Sequence, residues 1–271
     1  MKQIELERDP VPALGFGTWM LTEEACREAV SDALRIGYRH IDTAQSYDNE
    51  TAVGEALAGS GIPRRELFIT TKVWWENLQR GEAIQSTDES LRRLQLDYVD
   101  MLLIHWPNLD LPLDEPLDAF ETLRKDGKVR HLGVSNFPPK LFLKAIERAP
   151  VVCNQVEYHP FLGQDELLEI CRDRRLLLTA YAPLARGAVL EDPVLQEIGR
   201  RHDKSPAQVA LRWLLQQDRV AAIPKAARPE HRRSNFDVFD FELSIEEMKR
   251  IHGLERGERL IDPNFAPEWS H

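Results

Sequence analysis

One pattern repeats along the chain: a short apolar run, a polar loop and then a longer amphipathic stretch. The apolar runs are residues 13–17, 38–41, 67–70, 98–104, 129–134, 151–155, 176–181 and 220–223. Short apolar runs bounded by polar loops are typical of buried strands, and amphipathic stretches are typical of helices. Strands that alternate with helices indicate a parallel sheet, and eight such units predict a closed (β/α)8 TIM barrel, which is an α/β fold.

Three amphipathic stretches also carry signals for where a helix begins or ends. Residues 23–37 end on Gly37, which suits a helix C-cap. Residues 205–217 begin with Ser205 as the cap and Pro206 at the first helical position. Residues 86–96 begin with a Ser-Thr pair that is suited to capping. These signals predict helices over the three stretches.

The main alternative to a barrel is a doubly wound sheet of the dinucleotide-binding kind. In that fold a G-x-G-x-x-G motif follows the first strand. Here GFGTW, residues 15–19, has the first two glycines and then a tryptophan. A length of 271 residues is usual for one α/β barrel. We therefore expect residues 1–271 to form a single barrel domain.

Composition and charge narrow the classes of function. Hydrophobic residues make up 42% and charged residues 30% of the chain, which favours a packed core over disorder. The formal net charge of −10 argues against a nucleic-acid partner. MKQIELERDP has charges where a secretory signal needs an apolar run, and no apolar stretch is long enough to span a membrane. The three cysteines lack metal-ligand spacing, so we expect reduced thiols in a cytoplasmic protein.

Polar side chains gather at the predicted carboxyl ends of the strands, where barrels place their chemistry. The residues at these ends are Gly17, Thr18, Trp19, Asp42, Lys72, His105, Ser135, Asn136, Gln155, Tyr181 and Lys225. One hydrogen-bonding side chain at a strand end is ordinary. So many together predict one active site.

Four of the candidates suit proton transfer: Asp42, Tyr47, Lys72 and His105. A tyrosine has a pKa of about 10, and a neighbouring ammonium lowers it. We expect Lys72 to lower the pKa of Tyr47, Asp42 to orient Lys72, and His105 to bind a substrate oxygen. Considered one at a time, each residue has an ordinary structural interpretation: Asp42 could cap a loop, Tyr47 could pack at the surface, and His105 could be a hydrogen-bonded core histidine. Together at successive strand ends they favour the reduction of a carbonyl group.

No side chain supplies a hydride, so this chemistry requires a bound cofactor. Ser135, Asn136 and Gln155 can hydrogen-bond a carboxamide, and Tyr181 can stack on a nicotinamide ring. A basic cluster at a predicted helix start suits phosphate groups, although such a cluster can also be a solvated surface. The cluster consists of Lys225, Arg228, His231, Arg232 and Arg233.

With these residues assembled, the chain resembles the aldo-keto reductases over nearly its full length. The resemblance rests on LGFGTW, IDTAQSYDNE, TKVW, LLIHWP, GVSNF, NQVEYHP, AYAPLARG and IPK, in family order. It implies a (β/α)8 barrel that binds NADPH in extended form across the strand ends. It also implies a catalytic tetrad of Asp42, Tyr47, Lys72 and His105. The implied cofactor contacts are Gly17, Thr18, Asp42, Ser135, Asn136, Gln155, Tyr181, Pro183, Leu184, Ile223, Lys225, Arg228, His231 and Asn235.

Within the family, AQSYDNETAVGEAL, TTKVWWENL and the terminal APEW are most similar to bacterial 2,5-diketo-D-gluconate reductases, which also reduce methylglyoxal. The segments that resemble substrate loops, residues 107–116, 185–192 and 256–271, are short. Short loops imply an open pocket for a small polar carbonyl. Trp19, Tyr47, Trp74, His105 and Trp106 are its expected substrate contacts. The family also implies a monomer.

The chain departs from the family pattern at the adenosine end of the cofactor. Ala226 replaces a serine, His231 stands where an arginine is usual, and Ser234-Asn235 replaces a Glu-Asn pair. A neutral histidine binds a 2′-phosphate less well than a guanidinium does. NADPH is the expected coenzyme, with Arg228 or Arg232 as compensating cations. An NADH-preferring or dual-coenzyme aldehyde reductase is the alternative.

Two other functions fit the same barrel. A metal-dependent hydrolase would use His40, Asp42, His105 and His159 as ligands, but GFGTW lacks the paired histidines that such sites commonly need on the first strand. A non-enzymatic nucleotide sensor would keep the cofactor and work through a protein partner. Because the paired histidines are missing, we expect no bound metal. An intact tetrad argues against the sensor.

Overall fold

Strands and helices alternate along the chain. The structure, a computed structural model, describes residues 2–6 and 9–269. Its strands are β1 (Gln3–Leu6), β2 (Asp9–Pro12), β3 (Phe16–Gly17), β4 (His40–Asp42), β5 (Phe68–Val73), β6 (Val99–Ile104), β7 (Val129–Ser135), β8 (Val151–Glu157), β9 (Leu177–Tyr181) and β10 (Val220–Ala222). Its helices are α1 (Glu23–Ile36), α2 (Glu50–Gly59), α3 (Arg80–Leu94), α4 (Asp114–Lys125), α5 (Pro139–Arg148), α6 (Asp165–Arg174), α7 (Pro193–His202), α8 (Pro206–Gln216), α9 (Pro229–Phe236) and α10 (Ile245–His252). From β3 onward, at least one helix follows every strand.

The sheet closes on itself. Strands β3 to β10 lie side by side in chain order, and every neighbouring pair is parallel. Leu14, just before β3, forms a parallel bridge with Ala222 in β10. The N–H of Ala222 donates to Ala13 O at 2.8 Å, and the N–H of Gly15 donates to Ala222 O at 2.9 Å. The predicted (β/α)8 barrel is confirmed, and the doubly wound sheet, whose strand order reverses at a switch point, is wrong.

The central strands are buried on both faces. Every residue of β5, β6 and β8 is buried. One face of each strand points into the barrel and the other packs on helices, which is why parallel strands read as continuous apolar runs. A polar side chain in such a strand has only protein groups to bind. Lys72 in β5 is therefore a residue whose partners must be found inside the barrel.

Two predicted helix ends are confirmed. α1 ends at Ile36, and Gly37 follows it with φ of 126°, a conformation that glycine adopts far more readily than other residues. α8 begins after Ser205, whose side chain accepts the N–H of Gln208 while the Gln208 side chain accepts the N–H of Ser205. This capping box satisfies two N–H groups at the helix start.

The predicted start of the third helix is wrong. α3 begins at Arg80, six residues before Ser86. Thr87 lies inside the helix, where it is buried and its hydroxyl donates to Ala83 O at 2.7 Å. A Ser or Thr hydroxyl can bind the carbonyl one turn back, so its presence alone does not mark a helix start.

Strand boundaries also differ from the apolar runs. β5 continues to Val73 instead of ending at residue 70, so Lys72 lies within the strand. β8 continues to Glu157 instead of ending at residue 155, which brings a second carboxylate to the strand ends. At β5 and β8, polar residues interrupt the apolar pattern before the strand ends, so the pattern predicts these two strands too short.

The hairpin of β1 and β2 lies at the opposite end of the barrel from the predicted site. Lys2 Nζ donates to Leu215 O and to Gln217 O, both at 2.8 Å. Arg219, just before β10, donates from Nη1 to Glu5 O at 2.9 Å. These contacts attach the hairpin to the amino end of the barrel. The carboxyl ends of the strands face away from it.

Neither a membrane span nor a disulfide occurs in residues 2–6 and 9–269. No helix there is long and apolar enough to cross a bilayer. Cys26, Cys153 and Cys171 are free and buried, as predicted. Burial raises the pKa of the Cys26 and Cys153 thiols to about 12, which makes them poor nucleophiles.

Helices α2 and α3 touch through a glycine, and this contact gives a stability prediction. A Cβ atom on Gly54 would lie 2.6 Å from Leu94 O and from Arg93 O, both backbone atoms. We expect Gly54→Ala to lower the free energy of unfolding by about 1–3 kcal/mol, because the helices must move apart. Urea denaturation measures this change.

Gly59 in the same helix provides the matched control. A Cβ atom there would meet nothing within 4 Å. Gly59→Ala should leave stability unchanged or raise it by roughly 0.4–1 kcal/mol, because alanine restricts the unfolded chain. Equal effects of the two substitutions would contradict a close contact at Gly54.

Candidate active site

The four predicted catalytic side chains meet at the carboxyl end of the barrel. Asp42 ends β4, Lys72 is the penultimate residue of β5, and His105 directly follows β6. Tyr47 ends a short 3-10 helix, Gln45–Tyr47, that follows β4. Lys72 Nζ lies 3.3 Å from the Tyr47 hydroxyl, and the rings of Tyr47 and His105 have centroids 5.6 Å apart. The structure thus brings all four together.

The ammonium group of Lys72 is fully buried and fully paired. It donates to Asp42 Oδ1 at 2.5 Å, to Thr43 O at 2.8 Å and to the Tyr47 hydroxyl at 3.3 Å. An ammonium has three donors, and all three are used. The other carboxylate oxygen of Asp42 accepts Gln155 Nε2 at 2.8 Å. The position of Lys72 is therefore determined by β4, β8 and the loop that carries Tyr47.

This pairing sets the protonation states of Lys72 and Tyr47. Burial is the largest single influence and works against the ammonium, but Asp42 and Tyr47 together outweigh it and raise the pKa of Lys72 above its ordinary value. Burial of the Tyr47 hydroxyl raises its pKa more than the Lys72 charge lowers it. Lys72 lowers the pKa of Tyr47 as expected, but burial outweighs this effect, and the pKa lies above its ordinary value. At neutral pH the tyrosine carries its proton and can donate it.

His105 is a neutral imidazole beside these charges. Burial, together with the positive charge of Lys72, holds the pKa of His105 well below its ordinary value. Its Nδ1 lies 3.3 Å from the hydroxyl of Ser46. When Ser46 donates to Nδ1, the ring proton is on Nε2. The imidazole then presents an N–H donor without a positive charge.

The predicted carboxamide ligands belong to one network that joins the ends of four strands, β6 to β9. The hydroxyl of Ser135 donates to Gln155 O at 2.8 Å. Asn136 Nδ2 donates to His105 O at 2.9 Å, and Asn136 Oδ1 accepts the Tyr181 hydroxyl at 2.8 Å. These bonds hold the side chains of Ser135 and Asn136 at the end of β7, and the bond to Asp42 holds the side chain of Gln155 in β8. This network joins the carboxyl ends of neighbouring strands into one rigid group.

The loop after β9 has a strained backbone where the cofactor is expected. Ala182, Ala185 and Arg186 have φ values of 47°, 46° and 51°, the left-handed conformation that non-glycine residues rarely adopt. Pro183 is buried and Leu184 is partly buried between them. Such strain persists where surrounding structure enforces it, and it concentrates at ligand clamps. The loop fits the role that the resemblance implies for Pro183 and Leu184.

The contacts of Gly17 and Thr18 are with the protein itself. A Cβ atom on Gly17 would lie 2.7 Å from Ile223 O, so β3 and the residues after β10 approach too closely for a side chain. Thr18 is fully buried, and its hydroxyl donates to Asp42 O at 3.0 Å. These two residues, with Ile223, shape the floor of the site.

The basic cluster at the start of α9 divides into exposed and buried members. Lys225, Arg228, His231 and Arg233 are exposed, and Arg228 is the residue that precedes the helix. Arg232 is only 4% exposed, and its Nε donates to Asp32 Oδ2 at 2.7 Å.

Arg232 does not compensate for the missing arginine. Besides Asp32, its Nη1 donates to Ala227 O at 2.7 Å and to Ala226 O at 3.2 Å. Its position on the face of α9 that packs on α1 turns the guanidinium inward. The predicted use of Arg232 for phosphate is therefore wrong, and Arg232 instead holds the loop before α9. Asn235 is also buried on this helix.

Aromatic rings line one side of the site. Trp74 packs edge-on against His105, with centroids 5.3 Å apart, and Trp106 is only 5% exposed. Phe265, in the segment after α10, contacts Trp74, Trp75 and Trp106 at centroid distances of 5.7, 5.0 and 5.6 Å. Phe265 thus joins the predicted tryptophans into one wall.

Trp19 lies apart from this wall. It is 39% exposed on the loop after β3, and the guanidinium of Arg186 lies 5.4 Å from its ring centroid. Trp19 thus makes a cation–π contact with Arg186 in the loop after β9.

Sequence reasoning missed two buried polar residues that position the site. Asn49 Nδ2 donates to Thr18 O at 2.9 Å, and Asn49 Oδ1 accepts the hydroxyl of Thr43 at 2.7 Å. It ties the loop after β3 to the loop that carries Tyr47. Glu157 accepts His159 Nε2 at 3.0 Å and backbone N–H groups of the segment after α10. The sequence signal for Asn49 was a polar residue inside IDTAQSYDNE, and the signal for Glu157 was a polar residue inside NQVEYHP.

The residues of the hydrolase alternative are not brought together. His40 lies 3.2 Å from Pro12 O through Nδ1 and 3.3 Å from the Thr70 hydroxyl through Nε2. His159 is paired with Glu157, away from His40. Within the described part of the chain there is no group of three His, Cys, Asp or Glu residues that could hold a metal ion.

Comparison with known proteins agrees with this architecture. Residues 13–256 match the Aldo/keto reductase family. The methylglyoxal reductase DkgB of Escherichia coli O157:H7 is 40% identical over 265 residues, which cover 96% of this chain and 99% of that protein. The glyoxal reductase of Bacillus subtilis (strain 168) is 45% identical over 258 residues, which cover 94% and 92% of the two chains.

Solved structures lead to the same family. A crystal structure named for a 2,5-diketo-D-gluconic acid reductase B aligns with a TM-score of 0.95 and 46% identity, and covers 96% of this chain and 94% of its own. An aldo/keto reductase from Brucella melitensis aligns with a TM-score of 0.89 and 40% identity, and covers 93% and 99%. The chain belongs to the aldo-keto reductase family of carbonyl-reducing oxidoreductases, which use a nicotinamide cofactor.

Proposed function

We propose that this protein reduces small polar carbonyl compounds, such as methylglyoxal and 2,5-diketo-D-gluconate, to alcohols with NADPH as the preferred coenzyme. The observation that carries the proposal is the buried contact of Lys72 with both Asp42 and Tyr47, next to a neutral His105. The names of the similar proteins support the substrate class.

Tyr47 is the proton donor in this proposal. When bound, the nicotinamide supplies a hydride to the carbonyl carbon. The Tyr47 hydroxyl is protonated at neutral pH, because burial raises its pKa, and it gives this proton to the carbonyl oxygen. The Lys72 ammonium at 3.3 Å stabilises the phenolate charge that develops as the proton leaves.

His105 orients the substrate. An N–H at Nε2 can donate to the carbonyl oxygen and polarise it without adding a second positive charge beside Lys72. The ring is held by its contact with Ser46 and by the edge-on packing of Trp74. The two donors, Tyr47 and His105, would meet at one oxygen. Such convergence selects a carbonyl whose carbon faces the cofactor.

The residues present fit a nicotinamide dinucleotide. Ser135, Asn136 and Gln155 would bind the carboxamide, and the partly exposed Tyr181 would lie against the ring. The strained loop around Pro183 and Leu184 would lie along the bridging phosphates, and Asn235 near the adenosine. Exposed Lys225 and Arg228 at the amino end of α9 would bind the adenosine-side phosphate, where the helix dipole also favours an anion.

The wall of the pocket supports a small substrate. Trp74, Trp106 and Phe265 close one side, while the segments that follow β6 and β9 are short. Apolar walls with a few convergent donors are usual for small-molecule sites. A small carbonyl compound would reach Tyr47 and His105 without rearrangement of a long loop.

Removal of the Tyr47 hydroxyl tests the proton donor. Tyr47→Phe should lower kcat for methylglyoxal reduction by at least about 100-fold, because the general acid is lost. NADPH binding, followed by the quenching of protein fluorescence, should stay within about threefold of wild type. The phenol is not among the expected coenzyme contacts.

Tyr98→Phe is the matched control for this substitution. Tyr98 precedes β6 at the amino end of the barrel, where the guanidinium groups of Arg64 and Arg130 lie 4.0 and 4.3 Å from its ring centroid. Its variant should keep full turnover. Retained turnover in Tyr47→Phe would eliminate Tyr47 as the donor.

The protonation state of His105 gives a prediction about pH. Because burial and Lys72 hold its pKa well below the ordinary value, kcat/KM for reduction should show no break near pH 6.5. As the pH falls below that value, the unfolded chain takes up a proton at His105 before the folded chain does. The contribution of His105 to stability is therefore complete above about pH 6.5 and is lost as the pH falls to the folded-state pKa.

Lys72→Met checks the electrostatic cause. Ring ¹⁵N chemical shifts should show a higher pKa for His105 in this variant, because the nearby positive charge is gone. Lys125→Met is the control. The Lys125 side chain is 76% exposed, so its loss should leave the pKa of His105 unchanged. A His105 that titrates near pH 6.5 in the wild type would contradict its assignment as a neutral donor.

Residue 231 tests the phosphate site. His231→Arg should tighten NADPH relative to NADH by roughly tenfold, about 1.4 kcal/mol, because a guanidinium binds a 2′-phosphate in bidentate fashion. The dissociation constants of both coenzymes measure this ratio. His252→Arg on α10, where His252 faces Asp165 at 3.4 Å, is the control and should not change it. An unchanged ratio in His231→Arg would assign the 2′-phosphate to other residues.

A further inference from the structure

The segment after α10 crosses the barrel mouth and is attached on both sides of Arg259. The N–H groups of Arg256 and Glu258 donate to Phe161 O at 3.2 and 3.0 Å. The N–H groups of Leu260 and Ile261 donate to the two carboxylate oxygens of Glu157 at 2.8 and 3.0 Å. Arg259 is thus held above the end of β8. Farther along the same segment, Phe265 reaches the aromatic wall of the active site.

Arg259 brings a positive charge close to Glu157 and Tyr181 at the carboxyl ends of β8 and β9. Glu157 and Tyr181 are register partners at the ends of β8 and β9, and Tyr181 is bound to Asn136 at 2.8 Å. The guanidinium of Arg259 is partly buried and lies 4.0 Å from the ring centroid of Trp269. Burial lowers its pKa, and the neighbouring Tyr181, Glu157 and Asp262 oppose this lowering. An arginine remains charged under such conditions.

This cation is not paired. Among residues 2–6 and 9–269 no carboxylate forms an ion pair with it and no acceptor takes a hydrogen bond from its guanidinium. Glu157 is the nearest buried carboxylate by position, but it already accepts His159 and two backbone N–H groups. The five N–H donors of this partly exposed guanidinium are therefore available to an anionic ligand. Arg259 thus carries unused donors on a segment whose neighbouring residues, Glu258 and Leu260, are attached at the carboxyl ends of the strands.

We propose that Arg259 binds a carboxylate on the substrate and so makes the enzyme prefer oxo acids over neutral carbonyl compounds of the same size. The inference rests on the proposed function, because it concerns the same pocket. A guanidinium recognises a carboxylate through two parallel N–H bonds, which also orients the molecule. With its carboxylate on Arg259, the other end of an oxo acid would point toward Tyr47 and His105. A purely structural role, the balancing of the Glu157 charge, would give no such preference.

Matched pairs of substrates test this. The pairs are 4-oxobutanoate with its methyl ester and 4-carboxybenzaldehyde with its methyl ester, which span two distances between aldehyde and carboxylate. For wild type, kcat/KM should be at least tenfold higher for the acid of one pair, chiefly through KM, and the difference should shrink as salt is added. In Arg259→Gln the acid should lose at least tenfold more of its kcat/KM than its ester does.

Two further variants keep the test decisive. Arg259→Lys retains the charge without the bidentate geometry and should show an intermediate preference. Arg256→Gln is the control on the same segment, since Arg256 also lies over an aromatic ring, Phe161 at 3.9 Å, but is already paired with Glu258. Its acid-to-ester ratio should equal that of wild type.

The outcomes separate this inference from the function on which it rests. A wild-type enzyme that reduces methylglyoxal but prefers neither acid overturns the role of Arg259 alone. An equal loss for acid and ester in Arg259→Gln does the same, because it shows that the residue only shapes the segment. If Arg259→Gln does not fold, an unchanged acid preference in Arg259→Lys also refutes the inference. No turnover of any carbonyl compound overturns the proposed function as well.

Discussion

The buried ammonium of Lys72 is the constraint on which the rest of the site depends. Taking such a charge out of water costs roughly several kcal/mol unless its donors are all satisfied. Here three acceptors surround it: the Asp42 carboxylate, a backbone carbonyl of Thr43 and the Tyr47 hydroxyl. The same contacts that make the lysine tolerable in a fully buried strand also bring the tyrosine to its place. Stability and the proposed proton transfer therefore require the same geometry.

Hydrogen bonds carry this constraint around the barrel. Gln155 holds Asp42 from β8, and Ser135 holds the backbone of Gln155 from β7. Asn136 then connects His105 O to the Tyr181 hydroxyl, so neighbouring strands share one network. A network whose members are all satisfied is rigid, because each displacement breaks several bonds in a low-dielectric interior. Such rigidity suits the proposed site, in which a cofactor and a substrate would both lie within reach of the Tyr47 hydroxyl.

A second carboxylate organises the mouth of the barrel. Glu157 is fully buried, and it accepts His159 and the N–H groups of two successive residues after α10. Backbone N–H groups need partners wherever they are withdrawn from water. The carboxylate supplies them, and the segment that carries Arg259 and Phe265 is thereby attached to the strand ends. Glu157 thus positions the segment at the rim of the pocket, and Lys72 positions Asp42 and Tyr47 inside it.

The amino-acid sequence by itself determined the barrel and the four catalytic candidates, because alternating apolar runs and amphipathic stretches report burial, and polar residues interrupt that pattern at Asp42, Lys72 and His105. It could not determine the start of α3, the pKa of Tyr47 or the burial of Arg232, because each depends on which neighbours surround a side chain in three dimensions. Thr87 does not cap the start of α3, because its hydroxyl donates to the carbonyl of Ala83 one turn earlier in the same helix. Arg232 faced inward because Asp32, 200 residues away, accepts its Nε–H. Glu157, Arg259 and Phe265 became visible only in the fold, since long-range contacts decide what a distant segment touches.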